Sequence, residues 1–172
     1  MEIHAAHRYL LNQFYSPLTN HRTDRYNGST LEGRMQLLLE VVEAVRHAVG
    51  ADFPVAVRLG ACDYMEGGST LQDAVAAAKL LEDAGVDLLD ISGGMCSYRN
   101  PLESGQGYFG EITQAVKQEV TIPVLLTGGI TEPQAAEALL EEQKTDLVGI
   151  GRALLKDSDW AKHAFEQLSA AE

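Results

Sequence analysis

The sequence predicts an α/β fold on a parallel sheet, and three observations carry that prediction. Four short runs rich in Val, Ile and Leu end near glycine and read as buried strands. Segments with helical apolar spacing separate them, and side-chain caps mark where some of those segments begin.

In chain order, "MEIH" reads as a first strand, and Leu38, Val41, Val42, Val45 and Val49 then share one helix face. "PVAVRLG" from Pro54 is the second strand, followed by a helix whose apolar side holds Leu71, Ala74, Ala78 and Leu81. Thr70 and Asp73 have the offset of a capping pair at its start, in which a side-chain oxygen accepts an unpaired backbone N–H. "DLLDIS" from Asp87 and "PVLLTGG" from Pro123 are the third and fourth strands. Thr131 and Gln134, either side of Pro133, have the same capping offset. "DLVGIGR" from Asp146 is the fifth strand, and a last helix runs from about Ser158 to Gln167. Strands alternating with helices in this way imply a parallel sheet with right-handed crossovers, either doubly wound or closed as a barrel.

The ends of the last two strands favour the barrel. "TGGI" and "GIGR" place Gly128, Gly129 and Gly151 where each strand hands over to its helix, so that backbone N–H groups can approach an anion closely. In (β/α)8 barrels, phosphate commonly sits in the loops after the last two strands. Arg152 adds a guanidinium suited to a phosphate monoester, although an arginine capping a surface carboxylate gives the same pattern.

At 172 residues and 45% hydrophobic content, the chain is long enough for one sizeable core, and no linker-like stretch divides it. One domain over residues 1–172 is expected. A formal net charge of -12 disfavours nucleic acid or an anionic membrane as partner and leaves small molecules as the expected ligands. No run approaches the ~20 apolar residues of a membrane span, and no basic-then-apolar leader opens the chain, so a cytoplasmic location is expected. Cys62 and Cys96 form no spaced metal set and read as ordinary thiols.

His4, His7 and Tyr9 fall within six residues at the mouth of the first strand, the end where barrel enzymes gather their active groups. Three readings fit. A metal site would need a further ligand, and no His or Cys cluster elsewhere supplies one. The histidines could instead be core residues tied to carbonyls, with the Tyr9 hydroxyl in water. As a catalytic set, paired imidazoles would donate to a developing oxyanion and a phenol would supply a proton, the chemistry of addition to a polarised double bond. Arg58 is a permanent cation near the end of an apolar strand and must be paired, either with Asp90 on the next strand or with a cofactor that carries negative charge during turnover.

Taken together, "EIHAAHRYLLNQFYSPLTNHRTDRYNGSTLEGR", "VAVRLG", "VDLLDISGG", "VLLTGGI" and "LVGIGRALLKD" resemble, in order and spacing, the C-terminal part of an Old Yellow Enzyme family flavin oxidoreductase. The resemblance implies an incomplete (β/α)8 TIM barrel of about five parallel strands, corresponding to strands 4 to 8, with Met1 inside the fourth. It implies an FMN-dependent ene-reductase, or a fragment of one, that uses NADH or NADPH to reduce activated C=C bonds of unsaturated carbonyl or nitro compounds. His4 and His7 would anchor the carbonyl or nitro oxygen, and Tyr9 would protonate the α carbon. Arg58 would face the pyrimidine end of the flavin, and Gly128, Gly129, Gly151 and Arg152 would hold its phosphate.

This chain also departs from the family pattern. Arg8 stands where the family usually has glycine, while Asn27 and Gly33 replace a glycine and an asparagine of the usual "YGGSxENR" run. Dienoyl-CoA reductases of the family fit less well, because "SGGMCSYRNP" offers no histidine. With about three strands missing, the end strands are expected to expose apolar faces and unpaired backbone, so that an N-terminal half-barrel or self-association is needed to cover them. The alternative is a non-catalytic half-barrel that keeps only a phosphate-binding edge.

Overall fold

Side chains alternate between the two sides of a strand, so parallel pairing aligns them into rows across the sheet. In the computed structural model, which describes residues 1–170, one such row is Ile3, Val57, Leu89 and Val124, and the next is Ala5, Leu59, Ile91 and Leu126. All eight are buried and belong to one hydrophobic cluster with Leu38 and Val42 of one helix and Ala74, Ala78 and Leu81 of another. The opposite face carries His4, Arg58, Asp90 and Leu125 in register, three polar side chains and one leucine where the first face is wholly apolar.

The strands are β1 (Glu2–Ala5), β2 (Ala56–Cys62), β3 (Leu88–Gly93), β4 (Val124–Thr127) and β5 (Leu147–Gly149). They lie side by side in chain order and all parallel. A doubly wound sheet reverses its strand order partway across, and this one never does. It is an arc of a (β/α)8 barrel, five strands wide. Among the described residues, β1 and β5 each pair on one side only.

The helices are α1 (Leu10–Tyr15), α2 (Leu31–Val49), α3 (Leu71–Asp83), α4 (Gly110–Lys117), α5 (Pro133–Glu141), α6 (Arg152–Lys156) and α7 (Trp160–Ser169). Thr70 and Asp73 form the expected reciprocal cap at the start of α3, and Thr30 caps α2 by accepting from the Gly33 N–H. The Arg34 guanidinium reaches from α2 to Asp73 at 2.5 Å and pins the two helices together.

One local expectation changes, and one short helix is added. Thr131 does not cap α5; Glu132 precedes the helix without a side-chain bond. The Gln106 side-chain Oε1, from a distant loop, instead accepts from the Thr131 N–H, the Thr131 hydroxyl and the Glu132 N–H. The last helix, expected from about Ser158 to Gln167, is α7, and the short α6 precedes it, with Asp157 in extended backbone between them. The last two residues of the expected 1–172 domain, Ala171 and Glu172, lie outside the described residues.

The departures at Asn27 and Gly33 meet in space. A Cβ on Gly33 would stand 2.9 Å from the Asn27 Cβ and 2.3 Å from its carbonyl oxygen, so this turn leaves no room for a side chain at position 33. Asn27 in turn uses its Oδ1 to accept from the Ser29 N–H and hydroxyl, which closes the turn that enters α2. Gly33→Asn alone should therefore destabilise the fold by about 1–3 kcal/mol. Adding Asn27→Gly should recover part of that loss, giving a coupling of at least about 0.5 kcal/mol in a urea double-mutant cycle.

Candidate functional site

At the carboxyl ends of β2 to β5 the loops surround a cleft of about 530 Å³, within the roughly 300–1,000 Å³ usual for small-molecule sites. Arg58, Gly128, Gly129, Gly151 and Arg152 all line it, together with Asp90, Ser92, Tyr98, Tyr108 and Thr127. His4, His7 and Tyr9 form a neighbouring cluster. The His4 and His7 rings lie edge to face with centroids 5.3 Å apart, and the Tyr9 ring meets His4 at the same distance. Two links join cluster and cleft: His4 sits opposite Arg58 in the sheet register, and His7 Nε2 shares a 2.7 Å hydrogen bond with the hydroxyl of Ser92.

The histidine loop owes its shape to two consecutive left-handed residues, His7 at φ 57° and Arg8 at φ 69°. That conformation explains why glycine suits position 8. An arginine pays roughly 1–2 kcal/mol to adopt it. Three hydrogen bonds offset the cost: the Arg8 N–H donates to Asn12 Oδ1 at 2.9 Å, its Nε donates to the Met95 carbonyl at 2.6 Å, and its carbonyl accepts from Gln13 Nε2 at 2.7 Å. The long side chain thus ties the histidine loop to the loop after β3.

Electrostatics keep both imidazoles neutral. Burial pushes His7 down to about 4, with the Arg58 charge and then His4 adding to the effect. His4 is also lowered, by burial first and by Arg58 second, against an opposing pull from Glu2. A neutral imidazole donates one hydrogen bond from one nitrogen, which suits it to hold a carbonyl or nitro oxygen. Tyr9 is 65% exposed, with its ring against His4.

Arg58 pairs with Asp90 and also faces the cleft. Its Nε lies 3.4 Å from Asp90 Oδ2 and its Nη2 donates to the Thr127 hydroxyl at 3.3 Å, while the side chain also lines the cleft. Burial raises the Asp90 carboxyl to about 7, even though Arg58 pulls the other way.

At the far end of the cleft, Gly129 adopts φ 71°, and a Cβ there would lie 2.6 Å from Tyr108 Cε1. A Cβ on Gly128 would meet the same ring at 3.3 Å. The packing of Tyr108 therefore requires glycine at 129 and leaves little room for a side chain at 128. Gly151 is open on its side-chain face, and the exposed Arg152 points Nη2 at the Tyr108 hydroxyl, 3.5 Å away. Among the described residues no carboxylate pairs with Arg152, so the surface-capping reading is not realised there.

This donor set fits a flavin mononucleotide. A charged guanidinium without a carboxylate partner stands beside an open glycine at one end, and a second guanidinium, whose buried Nε has no hydrogen-bond partner, lies at the other. Among the described residues no group of three His, Cys, Asp or Glu side chains could hold a metal ion. Burial raises the thiols of both Cys62 and Cys96, the latter to about 11, which makes them poor nucleophiles.

Sequence reasoning missed Ser92, Tyr98, Tyr108 and Thr127. Ser92, a small polar residue just before the glycine pair of "DISGG", carried the one usable signal. The His7 assignment leads to a measurable outcome. Its NMR titration midpoint should lie near 4, and Arg58→Met should raise it by removing the nearby cation. Because the folded value lies below the unfolded one, the stability His7 contributes is present above about pH 6.5 and is lost as pH falls through about 4.

Comparison with known proteins bears on the whole chain. The sequence model of the NADH:flavin oxidoreductase / NADH oxidase family matches residues 1–171. An NADH oxidase from Thermoanaerobacter brockii is 41% identical over 170 residues, covering 96% of this chain and 26% of that protein. An NADPH dehydrogenase from Halalkalibacterium halodurans is 39% identical over 168 residues, covering 98% of this chain and 48% of the relative. The solved structure of a 2-naphthoyl-CoA reductase in complex with 2-naphthoyl-CoA superposes with a TM-score of 0.87 at 30% identity, covering 96% of this chain and 26% of that one. The chain thus spans between a quarter and a half of the length of these proteins. Among its described residues no helix is long and apolar enough to cross a membrane.

Proposed function

The chain belongs to the NADH:flavin oxidoreductase / NADH oxidase family, and from that premise we propose that residues 1–172 act as one partial-barrel domain of an FMN-dependent ene-reductase driven by NADH or NADPH. The observation that carries this reading is the continuity of the site. His4 neighbours Arg58 in the sheet, and one cleft runs from Arg58 to Gly128, Gly129, Gly151 and Arg152, so a single elongated ligand can span both ends.

When bound, FMN would supply the hydride that passes from the nicotinamide to the β carbon of an activated alkene. The chain's own residues do the rest. Gly128, Gly129 and Gly151 offer close backbone approach to the phosphate, and Arg152 supplies a fixed cation. The neutral imidazoles of His4 and His7 donate hydrogen bonds to the carbonyl or nitro oxygen, and Ser92 orients His7 from behind. The Tyr9 hydroxyl delivers a proton to the α carbon. Arg58 places positive charge at the inner end of the cleft.

The one-sided pairing of β1 and β5 favours a second structural element for function, either an N-terminal half-barrel or another copy of the chain that covers the open edges. The relatives extend well beyond the matched region, which supports the first of these.

A visible spectrum of the purified chain titrated with FMN tests the reading. Stoichiometric flavin is expected, with Arg152→Ala weakening uptake at least about tenfold for a lost charge-assisted phosphate contact. A protein that stays colourless would count against this reading and favour a non-catalytic half-barrel. In the flavin-loaded protein, Tyr9→Phe should slow alkene reduction by about 10²-fold or more while leaving flavin reduction by NAD(P)H nearly intact in stopped-flow traces. Equal loss in both half-reactions would remove Tyr9 as proton donor.

A further inference from the structure

Asp90 is the one acidic side chain lining the cleft among the described residues, and it is only 4% exposed. The charged and titratable groups that face it come from three strands. Arg58 on β2 lies across the register, Glu2 and His4 stand on β1 on the same face, and β4 contributes the Thr127 hydroxyl. The pairing with Arg58 is loose. Nε and Oδ2 are 3.4 Å apart, and both Arg58 Nε and the other carboxyl oxygen, Oδ1, are buried without a hydrogen-bond partner. A well-formed buried ion pair satisfies such atoms; this one leaves both orphaned.

A loose pair of this kind can change its charge at little geometric cost. We propose that Asp90 is a positioning residue that acts through Arg58: ionised, it neutralises the guanidinium at the cleft floor; protonated, it leaves that charge whole for an anionic ligand. The inference rests on the flavin reading for the identity of that ligand. The flavin couple, FMN + 2e⁻ + H⁺ → FMNH⁻, puts a negative charge on the ring system, so the unmasked Arg58 favours the reduced form. Burial, together with the neighbouring Glu2 charge, places the Asp90 transition at about 7, where modest changes of pH switch it. As pH falls through that value Asp90 takes up a proton, Arg58 is unmasked and the midpoint potential rises beyond the couple's own proton dependence.

Two measurements on the full chain test the proposal. In the flavin-free protein labelled with ¹³C at aspartate carboxyls, Asp90 should titrate near neutrality, and Arg58→Met should move it higher by removing the attracting cation. An Asp90 that titrates with ordinary carboxylates, or that ignores Arg58→Met, overturns the proposal. In the FMN-loaded protein, Asp90→Asn should tighten reduced over oxidised flavin about tenfold above pH 8, a rise of about 30 mV for a two-electron couple. It should have little effect near pH 5.5. Asp90→Glu should keep the wild-type pH dependence. A purely structural Asp90 would weaken both flavin forms alike and leave the pH profile unchanged, which also overturns it. A wild-type chain that takes up no FMN counts against the proposed function, and the carboxyl titration then decides by itself whether Asp90 controls the charge at the cleft floor.

Discussion

One buried carboxylate holds the rim of this sheet together. Asp63, fully buried just past β2, accepts from the Ser16 hydroxyl at 2.5 Å, the Ser69 N–H at 2.9 Å and the Met95 N–H at 2.7 Å. Those donors belong to the end of α1, the loop before α3 and the loop after β3, three segments far apart in sequence. A buried carboxyl group without hydrogen-bond partners would carry a large desolvation cost, which these three donors offset. Fitting that side chain dictates its neighbours as well: a Cβ on Gly94 would stand 2.2 Å from Asp63 Oδ1, and one on Gly68 would stand 2.6 Å from the Asp63 Cβ. Met95, fixed by its N–H, then offers its carbonyl to Arg8, so the histidine loop takes its position from the same anchor.

The charge pattern around that anchor runs against the composition. The chain carries a formal net charge of -12, yet among the described residues Arg8, Arg99 and Arg152 have no carboxylate partner; Arg8 and Arg99 lie on loops and Arg152 at the start of α6, all beyond the carboxyl ends of strands. The other five arginines pair with acids. Positive charge left uncompensated at one rim of an acidic protein focuses the field there and draws anions to that face. A phosphate-bearing cofactor is the kind of ligand such a rim selects.

How legible this was in the sequence differs with the range of the interaction. The strands were readable because burial on one face and near-burial on the other force runs such as "PVAVRLG" and "DLLDIS" to be apolar, which made Arg58 and Asp90 conspicuous within them. Thr70 and Asp73 were readable because a capping box closes within one helical turn. The roles of Asp63, Ser92, Tyr108 and Gln106 were not, since each works through a partner twenty or more residues away whose approach only the fold determines. Thr131 shows the failure most clearly: the local motif is present, but a distant glutamine supplies the acceptor that the motif was meant to provide. The left-handed backbone at Arg8 was likewise hidden, since arginine carries no local signal for that conformation.

The two ends of the site are also one electrostatic system. Burial first, and the Arg58 charge second, hold both imidazoles neutral, so positive charge at the inner end rests on a group that cannot lose it, while the histidines remain directional donors. If either imidazole were protonated beside Arg58, two cations would share a partly buried space whose nearby acids are Glu2 and Asp90, the latter already reluctant to ionise. That arrangement would hold a substrate oxygen by charge rather than by direction, and would compete with the cleft for the same anionic ligand. Separating the duties, charge on the arginine and orientation on the histidines, lets an anion occupy the cleft while a neutral polarised oxygen is held over it.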